Sequence, residues 1–133
     1  MAAELKTVLS QLAKDLPGFV AAAVVLVEDG LSLAEYTNNK QLEAGEASAY
    51  LASIVKSNRK AIKLLEGGQV TDDILITTDK NYFLIRHGAD KPFFIFVMTS
   101  KNEWLGKARL LIKKYETMIN SIMAKKTAPT EGN

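Results

Sequence analysis

Residues 16–36 read LPGFVAAAVVLVEDGLSLAEY, and the fold turns on how this stretch divides. Pro17-Gly18 cannot continue a helix, residues 19–27 are apolar and rich in valine, and Glu28-Asp29-Gly30 supplies turn chemistry before Leu31 restarts an extended run. This is a β-hairpin. Its first arm is about half the roughly twenty residues that a membrane span needs, so it reads as a buried strand. On the second arm Leu31, Leu33 and Glu35 point one way and Ser32, Ala34 and Tyr36 the other. Neither face is wholly polar, and cover is expected on both.

Working outward, Leu5, Val8, Leu9, Leu12 and Leu16 recur at helical spacing and predict a first helix over residues 3–15. Downstream, residues 37–41 are polar and turn-like, and residues 42–66 favour helix up to the Gly67-Gly68 stop. This second helix, the longest element, carries Ala47, Leu51, Val55, Ile62 and Leu65 as its expected core stripe. A second line through Ala49, Tyr50, Ser53, Ser57 and Leu64 is small or mixed, and small residues let another helix approach closely. That line is a candidate interface.

Three short runs follow at residues 70–78, 82–87 and 93–99, separated by turn-rich segments, as in an antiparallel meander. Ser100 and Glu103 have the spacing of a capping box, which would open a third helix. There Trp104, Leu105, Ala108, Leu111, Ile112, Tyr115, Met118, Ile119 and Ile122 keep helical spacing. Residues 124–133 lose the pattern and are expected to form a flexible C-terminal tail after a single domain of residues 1–123. The order α-β-β-α-β-β-β-α gives an α/β (α+β) fold class, a three-layer α-β-α sandwich around one five-stranded, mainly antiparallel sheet.

Composition agrees with one soluble domain: 133 residues, 47% hydrophobic and 24% charged. With no cysteine there is no disulfide framework, thiolate metal site or cysteine nucleophile, and a cytoplasmic location is the expectation. Glu4, Lys6, Lys14 and Asp15 interrupt the N-terminal apolar positions, so no signal peptide is read there. The formal net charge is only +2, but residues 1–42 are net acidic and residues 101–133 net basic. A lysine-rich helix face is most simply a solvated one.

The ordered motifs resemble the roadblock / dynein light chain family, of profilin-like shape. The resemblance runs from about Leu5 to Ile122. Leu16-Pro17-Gly18 leads into Ala21-Ala22-Ala23-Val24-Val25, followed by Asp29-Gly30-Leu31 and Leu33-Ala34. Leu65-Glu66-Gly67-Gly68 then precedes a strand, Tyr82-Phe83-Leu84-Ile85 follows, and Leu105-Gly106-Lys107-Ala108-Arg109 opens the last helix. The resemblance, closest to prokaryotic roadblock regulators, implies a dimeric platform for a Ras-like small GTPase. It pairs either with itself (homodimer) or with a second roadblock-like chain, with long helices antiparallel and sheet edges joined. The implied partner and dimer interface is Ala49, Tyr50, Ser53, Lys56, Ser57, Arg59, Lys60 and Leu64.

Catalytic signatures are sparse. His87 is the single histidine, with no second imidazole for a metal site or relay, and reads as a loop residue. Gly67-Gly68 is not followed by Lys-Ser/Thr, so no phosphate-binding loop is present. Glu28-Asp29 and Asp72-Asp73 adjoin turns and read as solvated. Arg59, on the second helix and ahead of Arg86 and Arg109, is the best placed of three arginines to act on a GTPase in trans. The preferred reading instead has the dimer surface orient the GTPase's own groups. Lys56, Arg59, Lys60 and Lys63 form a basic cluster after the acidic Glu43 and Glu46, which suits either the helix dipole or an acidic partner. No cofactor, metal, enzyme activity, membrane span or nucleic-acid platform is expected. The alternative function is a structural or ligand-sensing adaptor of the same fold, without effect on GTP turnover.

Overall fold

A computed structural model describes residues 1–39, 41–42, 44–88 and 91–127. The elements run α1 (Ala2–Asp15), β1 (Phe19–Leu26), β2 (Ser32–Thr37), α2 (Ala44–Leu65), β3 (Ile74–Thr77), β4 (Asn81–Arg86), β5 (Phe93–Ser100) and α3 (Leu105–Thr127). The strands form one sheet in the order β2-β1-β5-β4-β3, with every neighbouring pair antiparallel. The expected order and three-layer architecture are both present.

The hairpin explains why the sheet starts where it does. Leu16 N–H closes α1 on Leu12 O, and Gly18 then passes so close to Glu103 that a Cβ would lie 2.9 Å from Glu103 Cβ. At the other end Gly30, at φ +71°, closes the β1–β2 turn, where Asp29 Oδ1 accepts the Leu31 N–H. A side chain at Gly30 would strike the Ala49 backbone at 2.6 Å, so α2 rests directly on this turn.

Two cores flank the sheet. On one face α1 (Leu5, Leu9, Leu12) and α3 (Ala108, Ile112, Tyr115, Ile119) pack on Ala22, Val24, Leu84, Ile95 and Val97. On the other, Ala52 and Val55 of α2 pack on Ala23, Val25, Ile85, Phe94 and Phe96. The backbone of α2 lies over β1 and β2, at one side of the sheet. Cross-strand register puts Ile74, Ile76, Phe83 and Met98 on the same face, beyond the helix, where all four stay half-buried.

Four expectations are corrected. Ala47 and Leu65 are exposed, because α2 turns Ser48, Ala52 and Val55 to the sheet, small residues that let it sit close. Ser100 and Glu103 do not cap α3: Ser100 belongs to β5, paired with Asn81, and Glu103 Oε2 accepts the Gly18 N–H at 2.9 Å. Trp104 precedes α3 and is 82% exposed, outside the core. Finally, α3 continues through residues 124–127, which were expected in the tail. Residues 128–133, Glu43 and part of the β4–β5 turn lie outside the described residues.

Candidate functional site

On α2, seven of the eight residues expected at an interface reach solvent. Ala49, Tyr50, Ser53, Lys56, Ser57, Lys60 and Leu64 are all exposed, Tyr50 and Leu64 to 78% and 77%. The structure adds Ile54 and Ala61, which the sequence reading left out. Tyr50, Ile54, Ser57, Ala61 and Leu64 then follow one another at spacings of four and three, the seam along which two helices pack knobs into holes. The signal was available, since the spacing is visible in the sequence. Beside the seam Ser53, Ile54, Ser57, Ala61 and Ile74 line a shallow groove of about 470 Å³. Ile74 belongs to β3, the edge strand of the sheet, with no strand beyond it among the described residues.

Lys56 and Arg59 have other engagements. Lys56 Nζ donates to Glu28 O at 2.6 Å and so holds α2 to the hairpin turn. Arg59 turns inward: Nε donates to His87 Nδ1 (3.2 Å), and Nη2 donates to Gly88 O (3.0 Å) and Lys91 O (2.9 Å). In this conformation its guanidinium is thus tied to two carbonyls and a ring nitrogen.

His87 follows β4 in the connection to β5, as read, yet is only 4% exposed. With Nδ1 accepting from Arg59, its proton sits on Nε2, directed to Asn58 Oδ1 at 3.2 Å. The same oxygen accepts from the Thr71 hydroxyl at 2.7 Å. Burial, and secondarily the Arg59 charge, lower the imidazole to about 4, so the ring is neutral at physiological pH. The network Thr71–Asn58–His87–Arg59 fastens α2 to β4 and to the segment before β3. Its members lie far apart in sequence, and no local motif announces them.

A second polar cluster corrects the reading of Asp73 as a solvated turn residue. Its carboxylate takes a two-pronged contact from Arg109 (2.9 and 3.1 Å) and lies 3.8 Å from Arg86, which also donates to Glu116 at 3.0 Å. These charges join the start of β3, β4 and α3. Asp29 stays exposed, as read. Among the described residues no three His, Cys, Asp or Glu side chains are grouped so as to hold a metal, and no helix is long and apolar enough to cross a membrane.

No family model matches the chain, and no curated protein matches it closely enough to report. Solved structures do. A roadblock/LC7 domain from Streptomyces avermitilis aligns over 90% of this chain and 98% of its own, with TM-score 0.80 and 13% identity. Myxococcus xanthus MglB aligns over 97% and 94%, with TM-score 0.85 and 16% identity. MglC of the same organism covers 89% of this chain and 98% of its own, with TM-score 0.61 and 18% identity. The chain therefore has the roadblock fold. At these identities the likeness carries the fold and no more.

Proposed function

We propose that the chain is a dimeric, non-catalytic regulator or scaffold of a Ras-like small GTPase, acting in the cytoplasm. The observation that carries this reading is the half-covered face of the sheet. A seam on α2, a groove beside it, half-buried Ile76 and Phe83, and a β3 edge with no strand beyond it among the described residues lie on this side of the sheet. A second roadblock-fold chain, laying its own α2 antiparallel in the groove and pairing β3 with β3, would cover all four at once. Structural neighbours support the assembly side of the reading, one of them being MglB in a tetrameric arrangement.

The inward anchoring of Arg59 favours activation by orientation over activation by an inserted arginine. Such a platform would order the GTPase's switch segments and leave the chemistry to the GTPase.

Tagged protein exposed to lysate of its source organism, with GDP or a non-hydrolysable GTP analogue present, tests the reading. Enrichment of a Ras-like GTPase with the analogue supports it, and turnover assays then measure activation. Equal recovery in both nucleotide states removes the activating role. Recovery of only another roadblock-like chain, or of a non-GTPase, makes the protein an adaptor.

A further inference from the structure

The layer formed by α1 and α3 carries a charge that the α2 side does not. Among the described residues, Lys6, Lys14, Lys107, Lys113, Lys114 and Lys125 are exposed on these two helices, against the exposed carboxylates Glu4 and Asp15. Asp15 is bonded to Tyr115. On α2 and the turn it rests on, exposed Lys56, Lys60 and Lys63 are balanced by exposed Glu28, Asp29, Glu46 and Glu66. One face of the sheet is basic and the other is mixed.

On α3 the positive charge gathers around an apolar residue. Leu110 is 71% exposed and stands about half-way round the helix from buried Ala108 and Ile112. Its neighbours three and four residues away are Gly106, Lys107, Lys113 and Lys114. Just before the helix Trp104 is exposed too, with exposed Lys101 three residues ahead of it. A Cβ added at Gly106 would meet nothing within 4 Å beyond its own helix, so no contact within the chain calls for glycine there, although glycine weakens a helix relative to alanine. Lys107 lies 3.8 Å from Glu103, and Lys114 lies over the Tyr115 ring. Lys101, Lys113 and Lys114 have no ion pair among the described residues. The helix dipole does not explain this placement: the first turn of α3 has no acidic residue and holds Lys107, the charge that a helix N-terminus disfavours. Gly106, Leu110 and Lys113 also border a shallow groove of about 380 Å³ that reaches Asp72 and Asp73. Asp73 is matched by Arg109, so only Asp72 offsets the lysines there.

We propose that the N-terminal half of α3 docks on an anionic phospholipid surface, with Trp104 and Leu110 entering the headgroup layer and Lys101, Lys107, Lys113 and Lys114 against the lipid charges. Tryptophan suits that depth because its ring is apolar and its N–H is polar. Lysine is depleted from protein interfaces, whereas a point charge on a flexible stem suits head groups that have no fixed arrangement. Each lysine near such a surface strengthens binding roughly fivefold, and the insertion of apolar side chains adds to that attraction. The docking surface lies on the sheet face opposite α2. A second chain on the α2 side leaves it open, and the proposal does not depend on the GTPase reading.

Trp104 is the only tryptophan in the sequence, so its emission reports on this surface alone. The full chain is mixed with phosphatidylcholine vesicles, with and without phosphatidylglycerol, and followed by tryptophan emission and by flotation. A blue shift and flotation are expected with phosphatidylglycerol and neither without it, and both should fall as salt is added. Lys113→Gln combined with Lys114→Gln alters only exposed side chains, so the folding transition should stay in place while partitioning falls about twenty-fivefold. Leu110→Ser should weaken flotation as well, again without moving the folding transition. A chain that neither shifts nor floats with phosphatidylglycerol overturns the proposal. So does undiminished flotation of the folded double variant, or equal flotation with phosphatidylcholine alone. A blue shift with polyglutamate and none with the anionic vesicles would assign the surface to an acidic protein, and that too overturns it.

Discussion

The two faces of the sheet are made from the same kinds of residue and end in different states. Against α1 and α3, Leu5, Leu9, Leu12, Leu84, Val97, Ile112 and Ile119 are all essentially excluded from solvent. The Tyr115 hydroxyl also bonds to the Asp15 carboxylate across the two helices, which with burial pushes the phenol up to about 12. That face is closed by two helices. The other has a single helix displaced over β1 and β2, so Ala23, Val25 and Phe94 are sealed while Ile76 and Phe83 are not. Residue type alone does not distinguish a core from an interface here. The number and position of the covering elements do, and the shortfall on the α2 side is where a partner has something to bury.

The largest effect should come from the closed face. Leu9→Ala removes a fully buried side chain between α1 and the sheet, where two helices and a strand layer leave little room to collapse. A loss of about 2–5 kcal/mol is expected in denaturant unfolding. A loss below about 1 kcal/mol would show that this face repacks freely, and the contrast between the two faces would fail.

Next comes acid. His87 is neutral in the folded chain down to about pH 4, whereas an unfolded imidazole takes its proton near 6.5. The unfolded state therefore binds the proton first as pH falls, and stability drops from about pH 6.5 to about pH 4 and levels off below. The loss is at most about 3.4 kcal/mol, at 1.36 kcal/mol for each pH unit of the gap. His87→Gln should remove that slope relative to the parent. An unchanged slope in the variant would mean that carboxylates, and not this ring, set the acid limb.

A smaller effect separates the adjacent carboxylates. Asp73 is nearly buried and meets Arg86 and Arg109, while Asp72 is exposed. Asp73→Asn should cost roughly 1–2 kcal/mol, less than a fully buried pair because Arg109 remains partly in water. Asp72→Asn should cost almost nothing. Equal costs would place the pairing energy elsewhere.

Element order was legible in the sequence because its signals are local: a proline-glycine stop, an Asp-Gly turn, a double-glycine helix end. The exposed line on α2 was legible for the same reason, as helical periodicity places Tyr50, Ser57 and Leu64 together. What stayed hidden depends on how distant segments meet. Asn58 and His87 are partners only because α2 crosses near the end of β4, and Asp73 finds Arg109 only because α3 passes beneath β3's lead-in. The Ser100 capping box failed because β-pairing with Asn81 claimed Ser100 first, leaving Glu103 to serve Gly18. The core stripe of α2 was read correctly at Val55 and Leu51 but not at Ala47 and Leu65, because apolar character was taken for burial, whereas close approach to the sheet selected Ser48 and Ala52.

The smallest effect on stability, and the sharpest test of the open face, is expected at Ser57. It is exposed at the middle of the seam, flanked by Ile54 and Ala61 in the groove beside β3. Ser57→Arg touches no buried group of a single chain, so unfolding of the monomer should shift by no more than about 0.5 kcal/mol. In an antiparallel helix pair the same position meets a second helix across a narrow gap, and a long cation there separates the two. Light scattering coupled to gel filtration should then give a dimeric mass for the parent and half that mass for the variant, with the circular dichroism of the two alike. A variant that keeps both the parental mass and its partner binding would show that the seam is a solvated helix face, and the distinction between the closed and open faces would be one of exposure without assembly.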